Sequence, residues 1–261
     1  MCLKYKGFQG AGFFIGNIYN CPAHPDFMLL IGTVHIDIEG PKRLEHFLNK
    51  YAPRKITVEV PKGRSVSEIE YMTLRERENR VKQVQQAGLP PQVQTLLEEI
   101  EQATGYEAIV AIQYAKRTGA ELYFVDIPKI FDIAESNKKI TFDESMKHVK
   151  NITYEQFREA YVKAIDSGYF DPLALAQILQ NVPEEILEAP AKDYAPILED
   201  KFWDEREQFM ADEIARIQPD IHISGLAHIF EEFSLKPGMK SLYQRLAKYS
   251  PERVKLCEAA A

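Results

Sequence analysis

A short apolar run, a helix with one apolar face and a second apolar run follow one another early in the chain, and this order constrains the fold most. The run from Phe27 to Ile31 predicts a strand. A helix then opens at Gly40-Pro41, Pro53 ends it, and Lys55 to Val60 predicts the next strand. Strands joined by a helical crossover run parallel, so we expect a βαβ unit with a parallel pair.

The same alternation continues along the chain. Two later runs, Glu121 to Val125 and Asp220 to Ser224, predict strands, and Phe13 to Ile15 predicts a strand before the first. Further helices are predicted at Ser65 to Gln86, Pro91 to about Ala103, Tyr106 to Arg117, Trp203 to Ile217 and about Met239 to Ala247. Strands that alternate with helices predict a three-layer α/β fold, with a mostly parallel central sheet and helices on both faces.

The stretch from residue 129 to residue 200 carries no strong strand signal. Helical periodicity predicts one helix over Tyr154 to Ile165, with Thr153 and Gln156 as a capping box. A second is started by Asp171-Pro172 and runs to about Leu179. We therefore expect residues 1–261 to form a single domain in which 129–200 is a helical insertion, serving as a lid or a surface for homo-oligomers.

The composition narrows the class of protein. The formal net charge of -7 disfavours non-specific nucleic-acid binding, which needs an excess of Lys and Arg. The cysteines at positions 2, 21 and 257 form no C-x-x-C pair, so neither a disulfide framework nor a structural zinc site is expected. No apolar run approaches the ~20 residues of a membrane helix, and the N-terminus does not resemble a signal peptide. We expect a cytoplasmic protein without a membrane span.

Two Gly-x-x-His motifs follow two of the predicted strands. The first runs from Gly32 to His35 and the second from Gly225 to His228. A histidine at a strand end is a metal ligand, a general base or a polar residue bonded to a nearby loop. The glycine allows close approach of backbone or ligand. Because ligands of parallel sheets bind beyond the carboxyl ends of the strands, the repeated motif favours one site built from both ends of the chain.

Several polar residues near these strand ends are candidates for the same site. Glu59 is a charge inside an apolar strand, which indicates either a site or the solvated face of an edge strand; we expect the strand to be internal. Asp126 ends a strand and could equally serve a turn. Glu107 lies in the first turn of a predicted helix and could simply stabilise that helix through its dipole. Arg206 could lie on the solvent-exposed surface of a helix. His222 could contact and orient a residue that binds the ligand, without binding the ligand itself.

The order of these residues resembles a known family. The markers are Ile31-Gly32-Thr33-Val34-His35, Val58-Glu59-Val60, Gly105-Tyr106-Glu107, Ala111, Ala115, Gly119-Ala120-Glu121-Leu122, Val125-Asp126-Ile127-Pro128, Asp204-Glu205-Arg206-Glu207-Gln208-Phe209-Met210-Ala211 and Gly225-Leu226-Ala227-His228. Together they resemble the TraB/PrgY/Tiki superfamily, which is related to erythromycin esterase-like and ChaN-like proteins. The resemblance covers about residues 29 to 230 and leaves 129–200 without a marker.

The resemblance implies a set of active-site residues. The family's pattern has two Gly-x-x-His motifs, glutamates at the positions of Glu59 and Glu107, and an arginine at the position of Arg206. Tiki members are described as metalloproteases that depend on manganese or cobalt, and TraB and PrgY members are linked to shutdown of peptide pheromones. Membrane-associated members carry hydrophobic segments that this chain lacks, so membrane localisation is not implied.

Three functions are compatible with these residues. In the first, the protein is a metal-dependent hydrolase of a peptide or another amide. His35 and His228, with one or both of Glu59 and Glu107, hold a divalent cation (Mn, Co, Zn or Fe). Arg206 stabilises the oxyanion or binds a substrate carboxylate. In the second, a metal-free hydrolase acting on an ester or amide uses either histidine to deprotonate water while the glutamates orient it. In the third, the protein is not an enzyme and binds a peptide or haem. We favour the first of these functions over the second, and the second over the third.

Overall fold

The described part of the chain is built on a parallel sheet. The computed structural model describes residues 28–128, 153–170, 200–230 and 239–258. These ranges contain five strands: β1 (Leu29–Thr33), β2 (Lys55–Pro61), β3 (Glu121–Asp126), β4 (Ile221–Gly225) and β5 (Glu252–Lys255). Their order in the sheet is β3-β2-β4-β1-β5, and all neighbours are parallel.

The helices of the same ranges cover the sheet. They are α1 (Gly40–Tyr51), α2 (Val66–Gln86), α3 (Pro91–Ala103), α4 (Tyr106–Thr118), α5 (Tyr154–Phe170), α6 (Asp200–Ile217) and α7 (Leu242–Arg245), with single 3-10 turns at Leu226–Ile229 and Ala247–Tyr249. On one face of the sheet, Leu122 and Phe124 of β3 pack against side chains of α2 and α4. Tyr123 alternates with them and interacts with Arg216 of α6, which packs on β3 from the other face. The three-layer α/β fold is confirmed.

The pairing of the first two strands differs from the prediction. β1 and β2 do run parallel, but β4 lies between them: Ile221 of β4 is the register partner of both Leu29 and Ile56. The crossover through α1 therefore passes over one strand position in the sheet. That position is occupied by β4, which comes much later in the chain. β2 is internal, as expected, because β3 and β4 flank it. This order places the end of β4, with the second Gly-x-x-His motif, beside both β1 and β2.

Most predicted helices are confirmed because their end signals act locally. Pro41 lies in the first turn of α1, and the Ser65–Glu68 capping box opens α2. Gly119 ends α4 with a φ of 78°, a left-handed conformation that favours glycine. The Thr153–Gln156 capping box opens α5, which continues beyond Ile165 to Phe170.

Two features at the C-terminal end are corrections. β5 has no predicted counterpart, since three of its four residues are charged and its burial comes from pairing with β1. The predicted helix from Met239 to Ala247 is a single turn, α7, flanked by a 3-10 turn. The predicted strand at 13–15 and the predicted helix at 171–179 lie outside the described residues. Among the described helices, none has the length and apolarity needed to cross a bilayer.

Candidate active site

The site lies at the carboxyl edge of the sheet, where four neighbouring strands end. His35 follows β1, Glu59 lies near the end of β2, Asp126 ends β3 and His228 follows β4. Two helices bring further charged side chains to the same edge: α4 supplies Glu107, and α6 supplies Arg206 and Glu207. Hydrogen bonds and ion pairs join these side chains into two groups that meet around Glu59 and Gly225.

Each glycine of the two motifs makes room for the other motif. A Cβ atom at Gly32 would lie 2.2 Å from Leu226 Cδ1 and 2.6 Å from Ile229 Cδ1. A Cβ atom at Gly225 would lie 2.9 Å from His35 Nε2 and 3.5 Å from Glu59 Oε2. The repeated glycine therefore has a packing cause in both motifs, and at Gly225 it leaves room for the Nε2 edge of the His35 ring and for the Glu59 carboxylate.

His35 is held by a buried carboxylate. Its Nδ1 lies 2.7 Å from Glu107 Oε1, and the Thr33 hydroxyl donates to the same oxygen at 2.8 Å. Desolvation lowers the pKa of His35, but the neighbouring Glu107 carboxylate raises it more, to about 9. Burial raises the pKa of Glu107, and the His35 charge and its hydrogen bond lower it further than burial raises it. The pair is therefore a carboxylate–imidazole dyad whose second ring nitrogen faces the site.

His228 lies between two carboxylates. Its Nδ1 contacts Glu207 Oε1, and its Nε2 lies 3.0 Å from Glu59 Oε1. Burial lowers the pKa of His228, but Glu207 and Glu59 together raise it to about 10. At neutral pH this imidazole is therefore a cation with a carboxylate on each nitrogen.

Arg206 ties the ends of β2 and β3 together. Its Nη2 donates to Glu59 Oε1 and, at 2.8 Å, to Asp126 Oδ2, while its Nε donates to Asp126 Oδ1 at 2.9 Å. The bond to Asp126 is bidentate, the strongest geometry for an arginine–carboxylate pair. Burial raises the pKa of Glu59, but His228 and Arg206 lower it well below its ordinary value. Glu59 stays ionised and is a poor base.

Exposure separates His35 from every other charged member of the site. The His35 side chain is 57% exposed, whereas those of Glu59, Glu107, Arg206 and His228 are at most 8% exposed. Asp126 and Glu207 are buried as well. Within the described residues, His35 is thus the titratable group of the site that solvent and a substrate reach directly.

A second polar layer lies behind the site on β4. His222 Nδ1 lies 3.0 Å from Thr57 Oγ1, while His222 Nε2 and Ser224 Oγ are buried without a hydrogen-bond partner among the described residues. Burial lowers the pKa of His222 to about 3, so this imidazole is neutral. It interacts electrostatically with Glu59 and His228 and supports the site from behind rather than entering it.

Both oxygens of Glu59, one of the four predicted metal ligands, have contacts within the protein. Its Oε1 already receives Arg206 Nη2 and His228 Nε2, and its Oε2 accepts from the Gly225 amide at 2.7 Å. Oε1 of Glu107 likewise contacts His35 Nδ1 and accepts a hydrogen bond from the Thr33 hydroxyl. A guanidinium on the central carboxylate repels a divalent cation. In the part of the chain that the structure describes, no three His, Cys, Asp or Glu side chains are grouped to hold a metal ion.

The predicted residues converge, and one further carboxylate was missed. His35, Glu59, Glu107, Arg206 and His228 all belong to this edge of the sheet. The missed residue is Glu207, which the sequence places beside Arg206. It is three residues before Met210, which is fully buried, and helical spacing puts residues i and i+3 on one face. That spacing indicates an inward-facing acid.

Comparison with known proteins adds no assignment. No family model, no curated protein and no solved structure matches the chain.

Proposed function

We propose that this chain is a hydrolase of esters or amides in which His35 is the general base. The observation that carries the proposal is the His35–Glu107 dyad. Its Nδ1 is held 2.7 Å from a buried carboxylate, and its imidazole is 57% exposed. A histidine oriented by a carboxylate on one nitrogen and open on the other is the arrangement used for proton transfer to and from a reacting group.

The reaction needs only water and the substrate. Neutral His35 takes a proton from water through Nε2, and the hydroxide adds to the carbonyl carbon of the substrate. The carbonyl π electrons move onto oxygen, and the tetrahedral intermediate then expels the alcohol or amine. His35 returns the proton to that leaving group, which leaves a carboxylic acid and a neutral base. Glu107 stabilises the imidazolium that exists between these two transfers.

The group around Glu59 supports the base from behind. Glu59 accepts from the Gly225 amide at 2.7 Å and so fixes the backbone against which the His35 ring lies. Arg206 and His228 in turn hold the other carboxylate oxygen of Glu59. These residues fix the position of the Gly225 backbone, while His35 moves the proton.

The substrate class follows from the resemblance to the TraB/PrgY/Tiki superfamily. Its members are linked to peptides, and its esterase-like relatives act on esters. We therefore propose a peptide or a small amide or ester as substrate, and membership of that superfamily.

A turnover assay tests the proposal. The purified full chain is incubated with p-nitrophenyl acetate and with p-nitroanilide peptides, and His35→Gln is compared with His46→Gln, a matched change at an exposed histidine on α1. We expect His35→Gln to lower kcat/KM by about 10²–10⁴-fold and His46→Gln to leave it unchanged. Equal turnover by both variants would overturn the assignment.

A metal-dependent hydrolase remains the second candidate. Both histidines place Nδ1 on a glutamate, and histidines that ligate metals are commonly oriented by a carboxylate in this way. The divalent cation would act as a Lewis acid when bound. Elemental analysis and turnover after exhaustive chelation separate the two: activity that survives chelation supports the metal-free enzyme. Stoichiometric binding of a peptide or haem without turnover supports a binding protein instead.

A further inference from the structure

Helix α5 packs through one face of its surface. Tyr154, Phe157, Tyr161 and Ile165 are spaced so that they share that face. Tyr154 and Phe157 pack on the apolar cluster between α2 and α3, and Ile165 packs against the main core. The helix therefore connects the α2–α3 hairpin with the central sheet, and Tyr161 lies between the two contacts.

The hydroxyl of Tyr161 bridges the loop that follows His35. It donates to the carbonyl oxygen of Ile36 at 3.1 Å and accepts from the amide of Ile38 at 3.0 Å. The first of these partners is the residue directly after His35. A single side chain from α5 therefore holds the backbone at both sides of Asp37.

The rest of this loop is anchored to the sheet and to α1. The amide of Asp37 donates to Val34 at 2.9 Å, and the amide of Gly40 donates to Asp37 at 2.8 Å. The Asp37 carboxylate is buried and lies 2.6 Å from Arg43 Nη1. Only the segment between these anchors depends on Tyr161, and that segment begins beside His35.

We propose that Tyr161 is a positioning residue for His35, and that α5 thereby helps to set the geometry of the active site. This inference rests on the proposed role of His35. Proton transfer is sensitive to small displacements of the base, because the reacting atoms must stay at contact distance. The hydroxyl of Tyr161 is the atom that contacts the loop, so the hydroxyl is the part that acts on His35.

Tyr161→Phe tests the inference, because it removes the hydroxyl and keeps the ring. The matched control is Tyr154→Phe, the same change on the same helix, at a hydroxyl for which the described residues provide no hydrogen bond. With p-nitrophenyl acetate we expect Tyr161→Phe to lower kcat by between about tenfold and a hundredfold with KM unchanged. We expect faster hydrogen exchange at the Ile38 amide and shifted imidazole nitrogen signals of His35. Tyr154→Phe should match the wild type in all three readouts.

The outcomes separate this inference from the proposed function. If Tyr161→Phe keeps wild-type kcat and unaltered His35 signals while His35→Gln is inactive, Tyr161 does not position His35 and the hydrolase assignment stands. If His35→Gln is fully active, the assignment fails. The exchange rate of Ile38 and the His35 signals then still decide whether Tyr161 holds the loop.

Discussion

The two Gly-x-x-His motifs are alike in sequence and opposite in their surroundings. Both histidines place Nδ1 on a glutamate, Glu107 for His35 and Glu207 for His228. The His35 side chain is 57% exposed, whereas that of His228 is 5% exposed and has Glu59 on its second nitrogen. The same motif thus yields one imidazole that is open to a substrate and one that is fixed as a buried cation.

Because their surroundings differ, removal of His35 and removal of His228 should have different effects on the protein. Loss of His228 removes the positive charge between two buried carboxylates, which is costly because each retains its desolvation penalty. Loss of His35 leaves one buried carboxylate, Glu107, which keeps the Thr33 hydroxyl as a donor. Stability should therefore respond to the second motif, and turnover to the first.

The largest expected effect is on stability. We expect His228→Ala to lower the free energy of unfolding by about 3–5 kcal/mol and His35→Ala to lower it by less, because it leaves one buried carboxylate without its partner rather than two. Urea denaturation followed by circular dichroism measures both. Equal losses in the two variants would show that the histidines do not differ as their burial indicates.

The glycines of the motifs offer a second contrast. Gly32→Ala brings a Cβ atom to 2.2 Å from the buried Leu226 side chain, and such overpacking costs about 1–3 kcal/mol. Gly225→Ala meets the exposed His35 ring at 2.9 Å, and this ring has room to move away. We expect Gly225→Ala to lose turnover with little loss of stability and Gly32→Ala to show a lower Tm. The reverse pattern, seen by calorimetry and the ester assay, would contradict the contacts described.

The pH dependence of turnover gives the finest contrast. The active form of His35 is neutral, so kcat/KM should rise with pH up to the pKa of His35, which Glu107 holds near about 9. Glu107→Gln removes the charge that raises this pKa. We expect the rising limb to move to lower pH, toward the ordinary value of 6.5, in a pH profile of p-nitrophenyl acetate hydrolysis.

Glu207→Gln is the matched control, since its partner His228 does not transfer the proton. In the Glu207→Gln variant, the rising limb of the pH profile should stay at the pH of the wild type. A shift of the limb with Glu207→Gln and none with Glu107→Gln would assign the base to His228 instead.

Much of the fold was predictable because its signals are local. The Ser65–Glu68 capping box and Gly119 set helix ends through contacts within a few residues, and the apolar run of β2 is visible in the sequence. The placement of β4 between β1 and β2 was not predictable, because it depends on contacts across about 190 positions of the chain. β5 was missed for the same reason, since a charged segment is recognisable as a strand only beside its partner.

The candidate site divides in the same way. Glu59 was recognisable as a charge inside an apolar strand, and the two histidines by their repeated motif. Glu207 gave only the signal of its helical spacing to Met210, and Tyr161 gave none, because their contacts join helices to distant strand ends. Glu107 and Arg206 were reached through a family resemblance and not through their own spacing.

Periodicity and capping act over a few residues, so the amino-acid sequence sufficed to locate most strands and helices and to show that a histidine follows each of two strands. The exposure of His35 beside one buried carboxylate, and the enclosure of His228 by two, arise from the packing of the fold. Burial and charge at a side chain are set by elements distant in sequence, here α4 for His35 and α6 for His228. Two identical motifs could therefore acquire different chemistry.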